Sequence, residues 1–218
     1  MLFSSATDAE VPWMKGAYTW QANINATIKR DKKKGLKPVR HMQMDIGVKE
    51  WDSGNSGWVL GTLVYNPDAT VAQAGGDSPW HKMMPVGLAW GNDETNLEAK
   101  PVTPLLETKI AKNVPPHAAK TMGFGGRLNG PADNPRSACF SCHGAAQFQS
   151  NTKLPASPMV YPPFTTKEAR GRWFRTIRGA DYDYNELGEP FDPGQSSMDY
   201  SLQLAIAFRN FYKTGGLE

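Results

Sequence analysis

Both cysteines of this 218-residue chain fall in one pentapeptide, Cys139-Phe140-Ser141-Cys142-His143. Two thiols three residues apart project from one helical turn, where each can add across a vinyl group of the same porphyrin. The histidine that follows can then turn its imidazole toward the iron. That order and spacing is the attachment pattern of a c-type haem. Asn134-Pro135 reads as an N-cap followed by proline at the first helical position, which predicts a helix over about 135–148 carrying both thiols. Two other chemistries use a Cys-x-x-Cys pair. A thioredoxin-like redox pair expects a strand leading into it, and the residues upstream have no strand pattern. A zinc site needs four ligands, yet the chain has no second Cys pair and no His-x₃₋₅-His. One covalent haem c on Cys139, Cys142 and His143 is the cofactor these residues point to.

The C-terminal part, from about residue 124 to 218, resembles a monohaem class I cytochrome c. The likeness rests on Cys139-x-x-Cys142-His143-Gly144, a middle helix, and a methionine ahead of a terminal amphipathic segment. It implies a small all-α haem domain, histidine–methionine ligation of the iron, and a protein that shuttles one electron to and from a redox partner. It also implies that the methionine lies just ahead of the last helix, where Met198 stands. Met159, within Ser157-Pro158-Met159-Val160-Tyr161-Pro162-Pro163, is the alternative sixth ligand. Both methionines also suit the gaps of an aromatic core. An open or weakly held sixth position would make the chain a haem enzyme instead, and a third reading is a structural haem subunit of a larger redox complex.

The elements that must position this haem are partly punctuated. Thr165-x-x-Glu168 forms a capping box and Gly179 a stop, predicting a helix over 166–178 with Ala169, Trp173 and Ile177 on one stripe. Arg170, Arg172, Arg175 and Arg178 fall on its other faces, available to haem propionates, to an acidic partner, or simply to solvent. The terminal helix is expected over 199–213, capped by Ser196 or Ser197, with Leu204, Phe208, Phe211 and Tyr212 at helical spacing.

Residues 1–120 are a different material. They hold six of the seven tryptophans, no cysteine, and short apolar runs separated by Gly, Asn, Asp and Pro. Strands are expected over 42–51, 57–65 and 84–90, with an earlier pair within 13–28, and Ser53-Gly54-Asn55-Ser56 as a hairpin loop. The fold class expected is α+β: a β-rich, sandwich-like domain over 1–120, then an all-α haem domain over 121–218. The tryptophan-rich part could cover one haem face. Exposed tryptophans on such a domain can bind sugars or a partner protein, although large aromatics more often fill cores. His41, His81 and His117 read as ordinary surface or loop histidines.

A net charge of +3 is too small and too dispersed for nucleic acid. The basic run Lys29-Arg30-Asp31-Lys32-Lys33-Lys34 reads as a solvated turn. No apolar stretch approaches the ~20 residues of a membrane span. The resemblance implies haem attachment outside the cytoplasmic membrane, hence a periplasmic protein whose leader or anchor is absent from this sequence.

Overall fold

A computed structural model describes residues 2–4, 11–23, 36–70, 75–148, 166–183 and 185–213. Six strands form one antiparallel sheet: β1 (Leu2–Ser4), β2 (Thr19–Asn23), β3 (Leu36–Lys49), β4 (Trp58–Tyr65), β5 (Met83–Ala89) and β6 (Thr108–Ile110). The order is β1-β3-β4-β5-β6, with β2 pairing the first half of β3. β4 is rich in Trp, Val, Leu, Thr and Tyr, the side chains that pack best on a pleated surface. The β3–β4 turn needs left-handed backbone at Gly54 (φ +88°) and Gly57 (φ +64°). Register then follows from the side-chain period of two. Asp45 faces Thr62, Gly47 faces Leu60 and Lys49 faces Trp58 on one side of the sheet, while Ile46 and Val48 take the other.

The helices are short: α1 (Pro116–Ala119), α2 (Cys139–Gly144), α3 (Lys167–Trp173) and α4 (Leu202–Lys213). A two-stranded ribbon, β7 (Gln147–Phe148) with β8 (Ser196–Ser197), ties the segment after α2 to the one before α4. Leu60, Val64, Val86 and Ala89 of the sheet share one buried cluster with Leu128, Phe140, Trp173, Phe174, Phe191 and Tyr200.

The expected fold class is therefore corrected in both halves. No second sheet faces the first among the described residues, so the N-terminal part is not a sandwich. Nor does the C-terminal part form an all-α cytochrome c-like domain, and the class I likeness fails with it. Helices of six, seven and twelve residues, linked by turns and a β-ribbon, do not build a separate helical shell. The first two share the sheet's buried cluster through Phe140 and Trp173, whereas α4 sets Phe208 and Tyr212 against Phe148 of β7.

Each departure has a local cause. Asn134 caps no helix; its side chain accepts the Arg136 N–H (2.8 Å) in a turn, and α2 begins only at Cys139. Helix α3 stops at Trp173 rather than Arg178, because Asn92 bonds the Arg175 carbonyl (2.8 Å) and Glu94 accepts the Thr176 N–H (2.6 Å), replacing helical partners with tertiary ones. Its cap is Thr166, whose hydroxyl accepts the Ala169 N–H (3.2 Å). Asp199 (φ +43°) and Tyr200 (φ +63°) break the path into α4, whose cap is Ser201 rather than Ser196 or Ser197. Thr165, Met159 and the basic run 29–34 lie outside the described residues.

Two histidines are packed rather than loose. His41 is buried on β3 with its ring 4.7 Å from that of Trp80, and His117 stacks on Trp13 (4.2 Å) and bonds the Tyr65 carbonyl through Nε2 (2.9 Å). Burial pulls both imidazoles below the ordinary 6.5; for His117, the Tyr65 carbonyl and Asp68 partly oppose it. Between the lowered folded value and 6.5 the unfolded chain binds more protons than the folded one, so their contribution is whole above 6.5 and declines as pH falls. The melting temperature is expected to drop between about pH 7.5 and about pH 5, and His117→Gln to flatten that slope. An unchanged slope in the variant would remove His117 from this role.

Candidate functional site

Helix α2 is set by its entry. Ala138 is extended (φ −149°, ψ 158°), and Ser141 closes the first turn by accepting the Ala138 N–H at 3.1 Å. The Cys139 N–H reaches back to the Leu128 carbonyl (3.0 Å), and Phe140 packs its ring 5.0 Å from that of Tyr200. With that face anchored, Cys139, Cys142 and His143 line a common space. Two adjoining cavities of about 210 and 510 Å³ share Asp45, Asp133, Cys139, His143 and Leu202. The smaller adds Cys142 and Trp173, and the larger runs along the sheet past Gly47, Trp58, Leu60 and Thr62. Those volumes suit a small-molecule or cofactor site.

His143 is oriented from behind. Its Nδ1 lies 2.8 Å from the Tyr200 carbonyl, an acceptor only, so Nδ1 carries a proton and, in the neutral ring, Nε2 is the nitrogen with the lone pair. Backbone acceptors of this kind fix the tautomer of metal-binding histidines. Tyr200 is itself pinned by its hydroxyl, which donates to the Ile177 carbonyl (2.6 Å). Next to it, Asp199 accepts from Lys49 Nζ (2.9 Å), Trp58 Nε1 (3.0 Å) and the Ala180 N–H (2.9 Å). Sequence reasoning missed this support. Its only sequence trace is Met198-Asp199-Tyr200 before the last helix, and nothing in the residue types announces the left-handed backbone.

The two thiols have different polar neighbours. Ser137 Oγ lies 2.9 Å from Cys142 Sγ, and Thr62 Oγ1 lies 3.5 Å from Cys139 Sγ while donating to Asp45 (2.8 Å). Burial pushes both thiols up, and nearby Asp133 adds to it, so they stand protonated. Asp45, Asp133 and Cys139 do bring three ligand atoms within 4.8 Å of one another. Both carboxylates are already engaged, however, by Gln43 Nε2, at 2.9 Å from Asp45 and 2.7 Å from Asp133. Burial raises Asp133 above the usual carboxylate range.

Met198 is placed differently from the cysteines and His143. Its N–H donates to the Ala146 carbonyl (3.0 Å), it stands two residues before Tyr200, and it lines neither cavity. Its backbone is thus on the Nδ1 side of His143. None of the four arginines reaches the cavities either: Arg170 pairs with Glu98, Arg172 with Asp192, Arg178 with Glu186 and Glu189, and Arg175 bonds the Phe191 carbonyl. Among the described residues no helix is long and apolar enough to cross a membrane. No family model, curated protein or solved structure matches the chain.

Proposed function

We propose that this chain is a periplasmic electron-transfer protein bearing one haem c, tethered through Cys139 and Cys142, with His143 as an axial ligand. The observation that carries the reading is the Nδ1-to-Tyr200 bond, which leaves Nε2 as the ligating atom beside two thiols on the same helical turn. The haem supplies a one-electron couple. The residues around it do the rest. Trp173 and Leu60 give the cavity walls apolar surface, Tyr200 holds the histidine tautomer, and Asp45 places a carboxylate at the wall, which would favour the ferric state. Among the described residues no Lys or Arg lines either cavity, so none of them is placed to pair with a haem carboxylate there.

The experiment is extraction and spectroscopy of protein made with haem-attachment machinery. Acidified organic solvent is expected to leave the colour on the polypeptide; colour that departs with the solvent overturns the reading. The sixth ligand is read from the weak far-red band that the notion of methionine ligation implies in the ferric protein. Loss of the band in Met198→Ala assigns Met198, and survival moves the assignment to Met159. A second reading, an open or weakly held sixth site, is favoured by the absence of Met198 from the cavity walls. A parent protein that lacks the band and takes up carbon monoxide supports it.

A further inference from the structure

A further cavity shares no lining residue with the two at Cys139–His143. About 790 Å³ in volume, it opens between residues 49–57, the β3–β4 turn, and residues 178–182. Each wall presents one large aromatic to water: Trp51 is 72% exposed and Tyr182 67%. The tryptophan-rich composition suggested core filling, but Trp51 does not take part in either buried cluster.

The walls are built, not loose. Gly179 donates to the Asn55 carbonyl (3.2 Å), and a Cβ at Gly179 would meet the Ser56 carbonyl oxygen at 2.0 Å, so only glycine allows this approach. Ser53 Oγ bonds the Glu50 carbonyl (2.6 Å), and Asp181 and Glu186 close the loop carrying Tyr182 through two hydrogen bonds of 3.1 and 3.0 Å. Trp51 and Tyr182 thus stand on fixed backbone segments, one on each wall of the cleft.

The polar lining selects further. Lys49, Glu50, Arg178 and Asp181 cancel in charge. The two cations already have carboxylate partners, Lys49 in Asp199 and Arg178 in Glu186 and Glu189. That leaves no net field for a phosphate or other anion. What remains is a carboxamide at Asn55 and carboxylate oxygens at Glu50 and Asp181, groups that accept hydroxyl protons. Concavity on this scale fits a small or medium ligand better than a flat protein contact. We propose that this cleft binds a neutral oligosaccharide, whose pyranose faces stack their C–H groups on Trp51 and Tyr182 while its hydroxyls meet Asn55, Glu50 and Asp181. The site is independent of the haem reading and stands or falls separately.

The test is calorimetric titration of the full chain with cellohexaose, maltohexaose and chitohexaose. Saturable binding of at least one is expected, weakened about tenfold or more by Trp51→Ala or Tyr182→Ala and much less by Trp51→Phe. Because both rings are exposed, the alanine variants should melt at the parent temperature. No saturable binding of any of the three overturns the proposal. So does binding that survives the double alanine variant.

Discussion

Alanine at both Cys139 and Cys142 is expected to abolish covalent haem, leaving a polypeptide whose mass is that of the chain alone and whose colour, if any, extracts into acidified solvent. The single variants are more informative. Each thioether saturates one vinyl group, so Cys139→Ala or Cys142→Ala should keep one bond and leave one vinyl conjugated to the ring. The reduced pyridine adduct then absorbs at longer wavelength than the parent. The sulfurs differ in setting, Cys139 beside Thr62 and Asp45, Cys142 beside Ser137. Cys139 is the more deeply buried, so its loss should more strongly reduce the yield of folded protein. Single variants indistinguishable from the parent in mass and spectrum would sink the attachment.

The second large effect concerns Arg127, 1% exposed in the core. Its guanidinium donates to four backbone carbonyls, of Asn92 (2.8 Å), Asp93 (3.0 Å), Asn96 (2.7 Å) and Phe124 (2.9 Å), and lies 4.4 Å from the Phe174 ring centroid. Burial lowers it to about 10, with Asp93 and Glu107 pulling the other way, so it is charged at neutral pH. Arg127→Met matches much of the volume but strands those carbonyls, a loss of about 3–5 kcal/mol. For a chain of this size the melting temperature should fall by roughly 10 °C. Arg127→Lys should recover only part, since one ammonium cannot reach four acceptors in a fork. A fall of only a degree or two in Arg127→Met would show that water replaces the guanidinium.

What the residues announced and what they concealed divides along range of interaction. The strands expected over 42–51, 57–65 and 84–90 fall on β3, β4 and β5, and the hairpin loop on the β3–β4 turn, because alternation and glycine act locally; the first six residues of β3, Leu36 to His41, carried no mark. The Cys139–His143 segment was legible as a helical turn, which the structure confines to Cys139–Gly144 rather than 135–148. Long-range partners were not. Nothing at Asn92 or Glu94 says that they will end a helix some eighty residues later, and Arg127, hidden among loops, carries no sequence mark of its four acceptors. The all-α expectation failed for the same reason. Apolar stripes such as Trp173 and Phe174 report that a face will be buried, not whether helix or sheet buries it. Arg172 and Arg175, read as available to propionates, to an acidic partner or to solvent, lie against Phe191 and bond their own chain.

The carbonyl that orients His143 belongs to a residue 57 positions later in the chain. During synthesis, the cysteines and the histidine therefore emerge well before the group that aims the imidazole. Under the proposed haem attachment, tethering to the two thiols draws on the pentapeptide alone, whereas presentation of Nε2 draws on Tyr200, turned left-handed and docked on Ile177. The segment just ahead of the last helix is then the part of the chain that completes the site.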